Sequence, residues 1–235
     1  AGLTSAILLQ KNGYQVKLIE KKNYPFHRVC GEYISNEVLP FLESLDIDIS
    51  KLEPSRINRL AVTSVSGKIL QANLNLGGFG ISRFKLDYLL YQHAESLGVE
   101  FIFEKVIDLV FTEEKFRIST SGNKVFESAI AIAAYGKRSN LDQKLTRSFF
   151  YKRSPYLGVK YHIKTDLPEN LIRLDNFEGG YCGVSKIEDD KYCLCYLSEK
   201  ANLKKYSGIP EMEEQVLFRN PNLRNLFKNS EFLFE

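Results

Sequence analysis

Ala1-Gly2-Leu3-Thr4-Ser5-Ala6-Ile7-Leu8-Leu9-Gln10-Lys11-Asn12-Gly13-Tyr14-Gln15-Val16-Lys17-Leu18-Ile19-Glu20-Lys21 opens the chain. From Gly2 to Asn12, Leu3, Ile7 and Leu8 recur at helical spacing, and Gly13 supplies the residue that commonly ends a helix. Tyr14–Glu20 then reads as a strand, with Val16, Leu18 and Ile19 apolar and Glu20 at its carboxyl end.

Helix, strand and terminal acid in this order fit the first unit of a dinucleotide fold. There a glycine-rich turn opens a helix, and an acid lies roughly 20 residues further on. Gly2 takes the place of the last glycine of that turn, where helix and strand pack closely. Glu20 sits where a carboxylate accepts hydrogen bonds from both hydroxyls of an adenosine ribose. It would repel a 2′-phosphate, so the unmodified ribose of FAD or NAD fits better. Ala1 reads as the second half of a phosphate-binding turn, so the N-terminus is read as truncated.

Further along, Asn36–Leu45 reads as a short helix with Pro40 inside it. Ile57–Leu76 alternates in polarity around Ser66-Gly67-Lys68, a hairpin signal. Phe84–Leu97 is an amphipathic helix stopped by Gly98, and Val99–Phe103 reads as a strand. Short strands come next, near Val106–Thr112, Phe116–Thr120 and Lys124–Phe126. The apolar run Ala129–Ala134 reads as a strand buried on both faces. Tyr156–Thr165, Leu171–Asn176, Tyr181–Ile187 and Lys191–Ser198 form a series of strands. Pro210–Arg219 reads as a helix, and Pro221 interrupts the segment after it. These segments predict an α/β fold, with a discontinuous Rossmann-like nucleotide-binding domain over 1–55 and 82–145. A β-sheet domain over 56–81 and 146–235 is inserted into it.

The 235 residues are 44% hydrophobic and 26% charged, ordinary globular usage that argues against wholesale disorder. A net charge of +3 does not by itself require nucleic acid, and no nucleic-acid partner is expected. No apolar run approaches the roughly 20 residues that span a bilayer, which leaves room only for peripheral membrane contact. Cys30, Cys182, Cys193 and Cys195 form no C-x-x-C pair, and His27, His93 and His162 are scattered, so no metal site is expected. The expectation is reduced thiols in a cytoplasmic protein, with Cys193 and Cys195 on one face of a strand.

The opening stretch, together with Pro25 and Arg28-Val29-Cys30-Gly31-Glu32, resembles flavoprotein monooxygenases and geranylgeranyl reductases of the para-hydroxybenzoate hydroxylase-like FAD superfamily. Three further segments stand in the order of that family. Arg83-Phe84-Lys85-Leu86-Asp87-Tyr88-Leu89-Leu90 matches its R-x-x-(x)-D-x-x-L helix start. Ala133-Ala134-Tyr135-Gly136-Lys137-Arg138-Ser139 stands where the family has G-A-D-G-x-x-S. Gly179-Gly180-Tyr181-Cys182-Gly183 stands where its substrate sheet has a glycine–tyrosine element. The resemblance covers nearly the whole chain.

It implies an FAD-binding domain with an inserted substrate domain, and FAD held by Ala1, Gly2, Glu20, Lys21, Arg28, Cys30, Gly31, Arg83 and Gly136. Arg28 and Arg83 would offer guanidinium donors to ribose and phosphate oxygens. Gly31 would let the backbone approach a flavin ring. The implied activity is that of an FAD-dependent oxidoreductase, hydroxylating or reducing a double bond in an organic small molecule or lipid, with NADH or NADPH as electron donor. No catalytic acid or base is identifiable. Cys30 and Tyr181 are candidates near flavin or substrate, with Tyr161 and His162 beside the substrate, although His162 also reads as a structural strand residue.

The departures carry information too. Tyr135 replaces the aspartate of the family's D-G pair, which puts normal cofactor and nicotinamide handling in question. The chain has no tryptophan, so the halogenases' W-x-W-x-I-P element is absent and halogenation is disfavoured, and the reductase branch's Y-x-W-x-F-P element is likewise unmatched beyond Tyr181. The family's G-D motif is expected after the sheet domain, which points to a larger chain of about 350–400 residues. This segment alone is then expected to bind FAD poorly. The alternative is a non-catalytic nucleotide-binding or interaction module of the same fold. Lys137–Arg153 is rich in basic residues and reads as a solvated face, or as a receptor for a nicotinamide cofactor's phosphates or an acidic carrier. Phe149, Phe150 and Tyr151 within it read as core. Arg56 and Asn58 receive no role.

Overall fold

The computed structural model describes residues 1–137, 139–152 and 154–233. Along the chain run α1 (Gly2–Lys11), β1 (Lys17–Ile19), β2 (Tyr33–Ser35), α2 (Leu39–Ser44), β3 (Ser55–Thr63), β4 (Ile69–Gly80), α3 (Arg83–Ser96) and β5 (Glu100–Ile102). Then come β6 (Val106–Thr112), β7 (Lys115–Thr120), β8 (Val125–Ser128), α4 (Asn140–Lys144), β9 (Tyr156–Lys164), β10 (Leu171–Phe177), β11 (Gly180–Lys186) and β12 (Tyr192–Glu199). The last elements are α5 (Lys200–Leu203), α6 (Ile209–Gln215), α7 (Pro221–Lys228) and β13 (Glu231–Phe232). They form two compact units, residues 1–26 with 87–153 and residues 27–86 with 154–235.

In the first unit β1 and β5 pair in parallel, Leu18 opposite Phe101. β6, β7 and β8 form a separate antiparallel sheet. Leu3, Ala6 and Ile7 of α1 are buried, as are Leu90 and Ala94 of α3, each set on one helical stripe. Gly98, at φ +94°, ends α3 as its position predicts. The strand expected at Ala129–Ala134 does not form. Ile130 and Ile132 are 72% and 56% exposed, and Ala134 N–H donates to the carbonyl of Ile132 instead. An apolar run becomes a strand only where a neighbour supplies the ladder, and among the described residues none does. Phe149 and Tyr151 are likewise exposed rather than core.

In the second unit eight strands make one mixed sheet in the order β13-β9-β12-β11-β10-β3-β4-β2. β10 and β3 run parallel, and the other neighbours antiparallel. One face carries Ile163, Phe177, Cys182, Val184, Leu194 and Tyr196, packed with Met212, Leu217, Leu223 and Leu226 from the C-terminal helices. Each such side chain contributes about 1.5–3 kcal/mol on burial. Pro221 opens α7 rather than interrupting a helix. At the first helical position its missing N–H costs nothing, and Asn220 caps the turn by accepting from Asn222 N–H at 2.9 Å. Pro40 is tolerated near the start of α2 for the same reason.

Asn220 is fully buried and ties three elements together. Its amide donates to Thr63 Oγ1 at 2.8 Å, to the Asn176 carbonyl at 3.0 Å and to the Ser64 carbonyl at 3.2 Å. Asn220→Ala removes the cap and leaves buried acceptors unpaired, an expected loss of about 2–3 kcal/mol. A thermal melt should fall by roughly 4–12 °C. A change under about 2 °C on that scale would contradict the hub role.

Candidate functional site

In the first unit, Gly2 stands at the first position of α1, and a Cβ added there would lie 3.4 Å from the Cβ of Ala134. Two residues on, Gly136 takes φ +73° and has open space where a side chain would point. The fold therefore brings the start of α1 and the Ala134–Gly136 turn together, although they are far apart in sequence. Helix N-termini carry unpaired N–H groups that suit anions. Glu20 comes directly after β1. Its N–H donates to Ile102 O at 3.1 Å, and its Oε1 accepts from Lys22 N–H at 3.3 Å. Lys21 beside it is exposed. Tyr135 donates its hydroxyl to Asp142 Oδ1 at 2.7 Å, so it is engaged within the unit. Burial, then this hydrogen bond, raises its pKa. Of the basic stretch, Lys144 pairs with Asp108 at 3.0 Å and Arg147 approaches Asp142 at 3.8 Å. Arg138 and Arg153 lie outside the described residues.

In the second unit the sheet face opposite the packed core is set by register. His162 lies opposite Cys193, Lys160 opposite Cys195, and Gly158 opposite Leu197. Ser185, Gly183 and Tyr181 continue the same rows on β11. Cys193 and Cys195 thus share one face, as alternation predicts. Tyr181 and Leu197 leave this end of the face partly open, at 46% and 37% exposure. Tyr161 does not join them. It points to the opposite face, where its hydroxyl donates to Glu213 at 2.9 Å.

The run Arg28–Glu32 lies against this face. Cys193 Sγ–H donates to the Cys30 carbonyl at 3.4 Å. Val29 Cγ1 comes within 3.3 Å of where a Cβ on Gly158 would sit. Gly31 has nothing within 4 Å of its own missing Cβ, leaving open space beside the backbone.

Glu32 is the residue that sequence reasoning missed. It is fully buried and accepts from Lys160 Nζ at 2.7 Å, His162 Nε2–H at 2.6 Å and Arg83 N–H at 2.8 Å. Its partners are also buried, the Lys160 and His162 side chains being 6% and 3% exposed. Burial works to raise the Glu32 pKa, but the hydrogen bonds from His162, Lys160 and Arg83 outweigh it and hold the carboxyl below its ordinary value. His27, stacked on Phe84 at 4.7 Å and edge-on to His162 at 5.3 Å, is pushed down by burial and then by the charge of Lys160. Burial pushes the Cys193 thiol well up, and burial with Cys30 nearby pushes Cys195 up to about 11.

Glu32, His162 and Cys193 bring one ligand atom each within 4.8 Å of one another. The set does not fit a metal. Both carboxylate oxygens already accept hydrogen bonds, and an ammonium 2.7 Å away opposes a divalent cation. Elsewhere in this unit a cleft of about 780 Å³ is lined in part by Leu39, Ile47, Arg56, Asn58 and Phe79.

All four cysteines are free thiols. No helix among the described residues is long and apolar enough to cross a membrane.

No family profile matches this chain, and no curated protein sequence does. Solved structures do resemble it. A flavoprotein/dehydrogenase from Cytophaga hutchinsonii is 21% identical with a TM-score of 0.79, over all of this chain and 62% of its own length. The flavin-dependent halogenase CmlS is 17% identical with a TM-score of 0.82, over all of this chain and 46% of its own. The halogenase PltM, in complex with phloroglucinol and FAD, is 16% identical with a TM-score of 0.76, over all of this chain and 56% of its own. The chain spans less than two thirds of the length of these proteins. At such identities the likeness concerns the fold, and the chain has the mixed α/β fold of these flavin-dependent proteins.

Proposed function

We propose that the chain belongs to an FAD-dependent oxidoreductase, with residues 1–55 and 82–145 as its FAD-binding domain and residues 56–81 and 146–235 facing the substrate. The observation that carries this reading is the cradle of the first unit. α1 opens at Gly2 against Ala134, Gly136 turns with open space beside it, and Glu20 ends the adjoining strand. Residues of this kind fit the adenosine and diphosphate of a dinucleotide. The α1 N–H groups with Ala1 and Gly2 would hold diphosphate oxygens, and Glu20, with Lys21 beside it, would accept from the ribose hydroxyls. Arg28, Cys30, Gly31 and Arg83 are the further residues that would hold FAD, the two arginines through their guanidinium donors.

When bound, FAD supplies the redox chemistry, hydride or oxygen transfer. The chain orients the substrate and excludes water. Tyr181 and the half-open sheet face around Cys195 and Leu197 offer an apolar floor with one hydroxyl, suited to an organic small molecule or a lipid. NADH or NADPH is the proposed electron donor. The halogenase names belong to the relatives; the absence of tryptophan leaves the halogenase and the reductase elements alike unmatched, and hydroxylation and double-bond reduction are the two reactions proposed. One observation favours the non-catalytic module: the Tyr135 hydroxyl is engaged with Asp142 where the family carries an aspartate.

The full-length protein, purified and soaked with FAD, should show flavin bands near roughly 375 and 450 nm, positions the surrounding protein tunes. It should also oxidise NADH or NADPH. A protein that stays colourless after soaking overturns the flavin reading, and one that turns yellow but oxidises neither donor supports the non-catalytic module.

A further inference from the structure

We propose that Glu32 is a positioning residue, whose buried carboxylate clamps the Arg28–Gly31 run against the sheet face through Lys160, His162 and the N-terminus of α3. The inference rests on the flavin reading only for what that run would face.

Three observations converge on it. Glu32 takes φ +55° while fully buried, a left-handed conformation uncommon for a residue other than glycine. Its backbone carbonyl accepts from Ile81 N–H at 3.0 Å, and its side chain takes Lys160, His162 and the Arg83 N–H, so β4's end, β9 and the start of α3 all meet at one residue. One further tie holds the preceding residues, the Cys193 thiol on the Cys30 carbonyl. Between these anchors Gly31 has open space beside its backbone. The clamp therefore fixes the residues on either side of Gly31 and leaves its backbone accessible. The carboxylate is spent on geometry, because its side chain is fully enclosed and its partners Lys160 and His162 are themselves buried, so it offers no face to a substrate. Glu32 thus acts through Cys30 and Gly31 and touches nothing reactive itself.

The thiol of Cys30 reports on the clamp without any cofactor. Its modification rate by DTNB at pH 8 is read as the difference between the chain and its Cys30→Ser variant, since Cys193 and Cys195 are held protonated and react slowly. Glu32→Gln should raise that rate at least about tenfold, because the freed run exposes the thiol. Lys160→Gln, which leaves two donors in place, should raise it less. Asp175→Asn serves as the comparison: Asp175 is equally buried and accepts from Thr63 Oγ1 and Arg173 Nε, both at 2.8 Å. It should lower the melting temperature without changing the Cys30 rate. Equal Cys30 rates in Glu32→Gln, Asp175→Asn and the parent chain, with circular dichroism showing folded proteins, overturn the clamp. In the full-length protein, Glu32→Gln should also shift the flavin absorption band. If the parent takes up no FAD, the flavin reading fails while the thiol rates still decide the clamp.

Discussion

Replacing Glu32 with alanine is expected to cost about 3–5 kcal/mol, because it strands the Lys160 ammonium and His162 in the interior without their carboxylate. For a chain of this size that is a fall of roughly 6–20 °C in the melting temperature. Adding Lys160→Met to Glu32→Ala should recover part of the loss, since it removes the unpaired charge and keeps an apolar side chain of similar length. A double variant no more stable than the single one would show that the ion pair is not what fails. The pH dependence has a defined sign. The folded state holds the Glu32 carboxyl below its ordinary value, so it favours the ionised form. The stabilisation is present above the ordinary carboxylate range and is lost as pH falls through the lowered value. The gap in stability between parent and Glu32→Gln should therefore be wide at neutral pH and close in acid. A gap that stays constant from neutral to acid pH would remove the carboxylate's charge from the account.

Gly80→Ala should be comparably severe, for a steric reason. A Cβ on Gly80 would sit 1.8 Å from the carbonyl oxygen of Lys186 and 2.9 Å from its carbon. Both are backbone atoms, at the end of β11, and Gly80 is itself fixed by pairing with Tyr33 and Ser55. Neither side can yield without moving a strand. The expected cost is about 3 kcal/mol or more, a fall of roughly 6–12 °C or a loss of soluble protein. Gly183→Ala is the matched control, since its Cβ would meet Leu174 Cδ2 at an ordinary 3.4 Å. It should melt close to the parent, and equal losses at both positions would contradict the steric account.

The local periodicities predict helices over Gly2–Asn12 and Phe84–Leu97, and the structure holds them at Gly2–Lys11 and Arg83–Ser96. The hairpin around Ser66–Lys68 and the four strands after Tyr156 obey the same logic. In each case the signal is short-range: apolar spacing within the element, and glycine or proline at its ends. Pro221 was legible only as a breaker, because whether a proline stops or starts a helix depends on the capping side chain before it. Ala129–Ala134 and Phe149–Tyr151 carry strong apolar signals, yet burial requires a partner surface that composition does not announce.

The candidate site divides along the same line. Gly2 and Glu20 stand out in the sequence because a helix-opening glycine and a strand-ending acid have meaning through the backbone they permit or end, while Arg28, Gly31 and Gly136 stand out through the family resemblance. The Glu32 cluster does not, since Glu32 and His162 are far apart in sequence and the Arg28–Glu32 run names no partner for the carboxylate. The side of the sheet taken by Tyr161 was open in the same way: alternation places neighbours on opposite faces but does not say which face the C-terminal helices cover. The sequence by itself determined the α/β class, the start of α1, the acid after β1 and the paired faces of the strands, all properties of backbone preference and spacing. Only the tertiary structure decided which charges meet beneath Cys30 and Gly31, because burial makes a carboxylate, an ammonium and an imidazole depend on one another at distances no local pattern encodes.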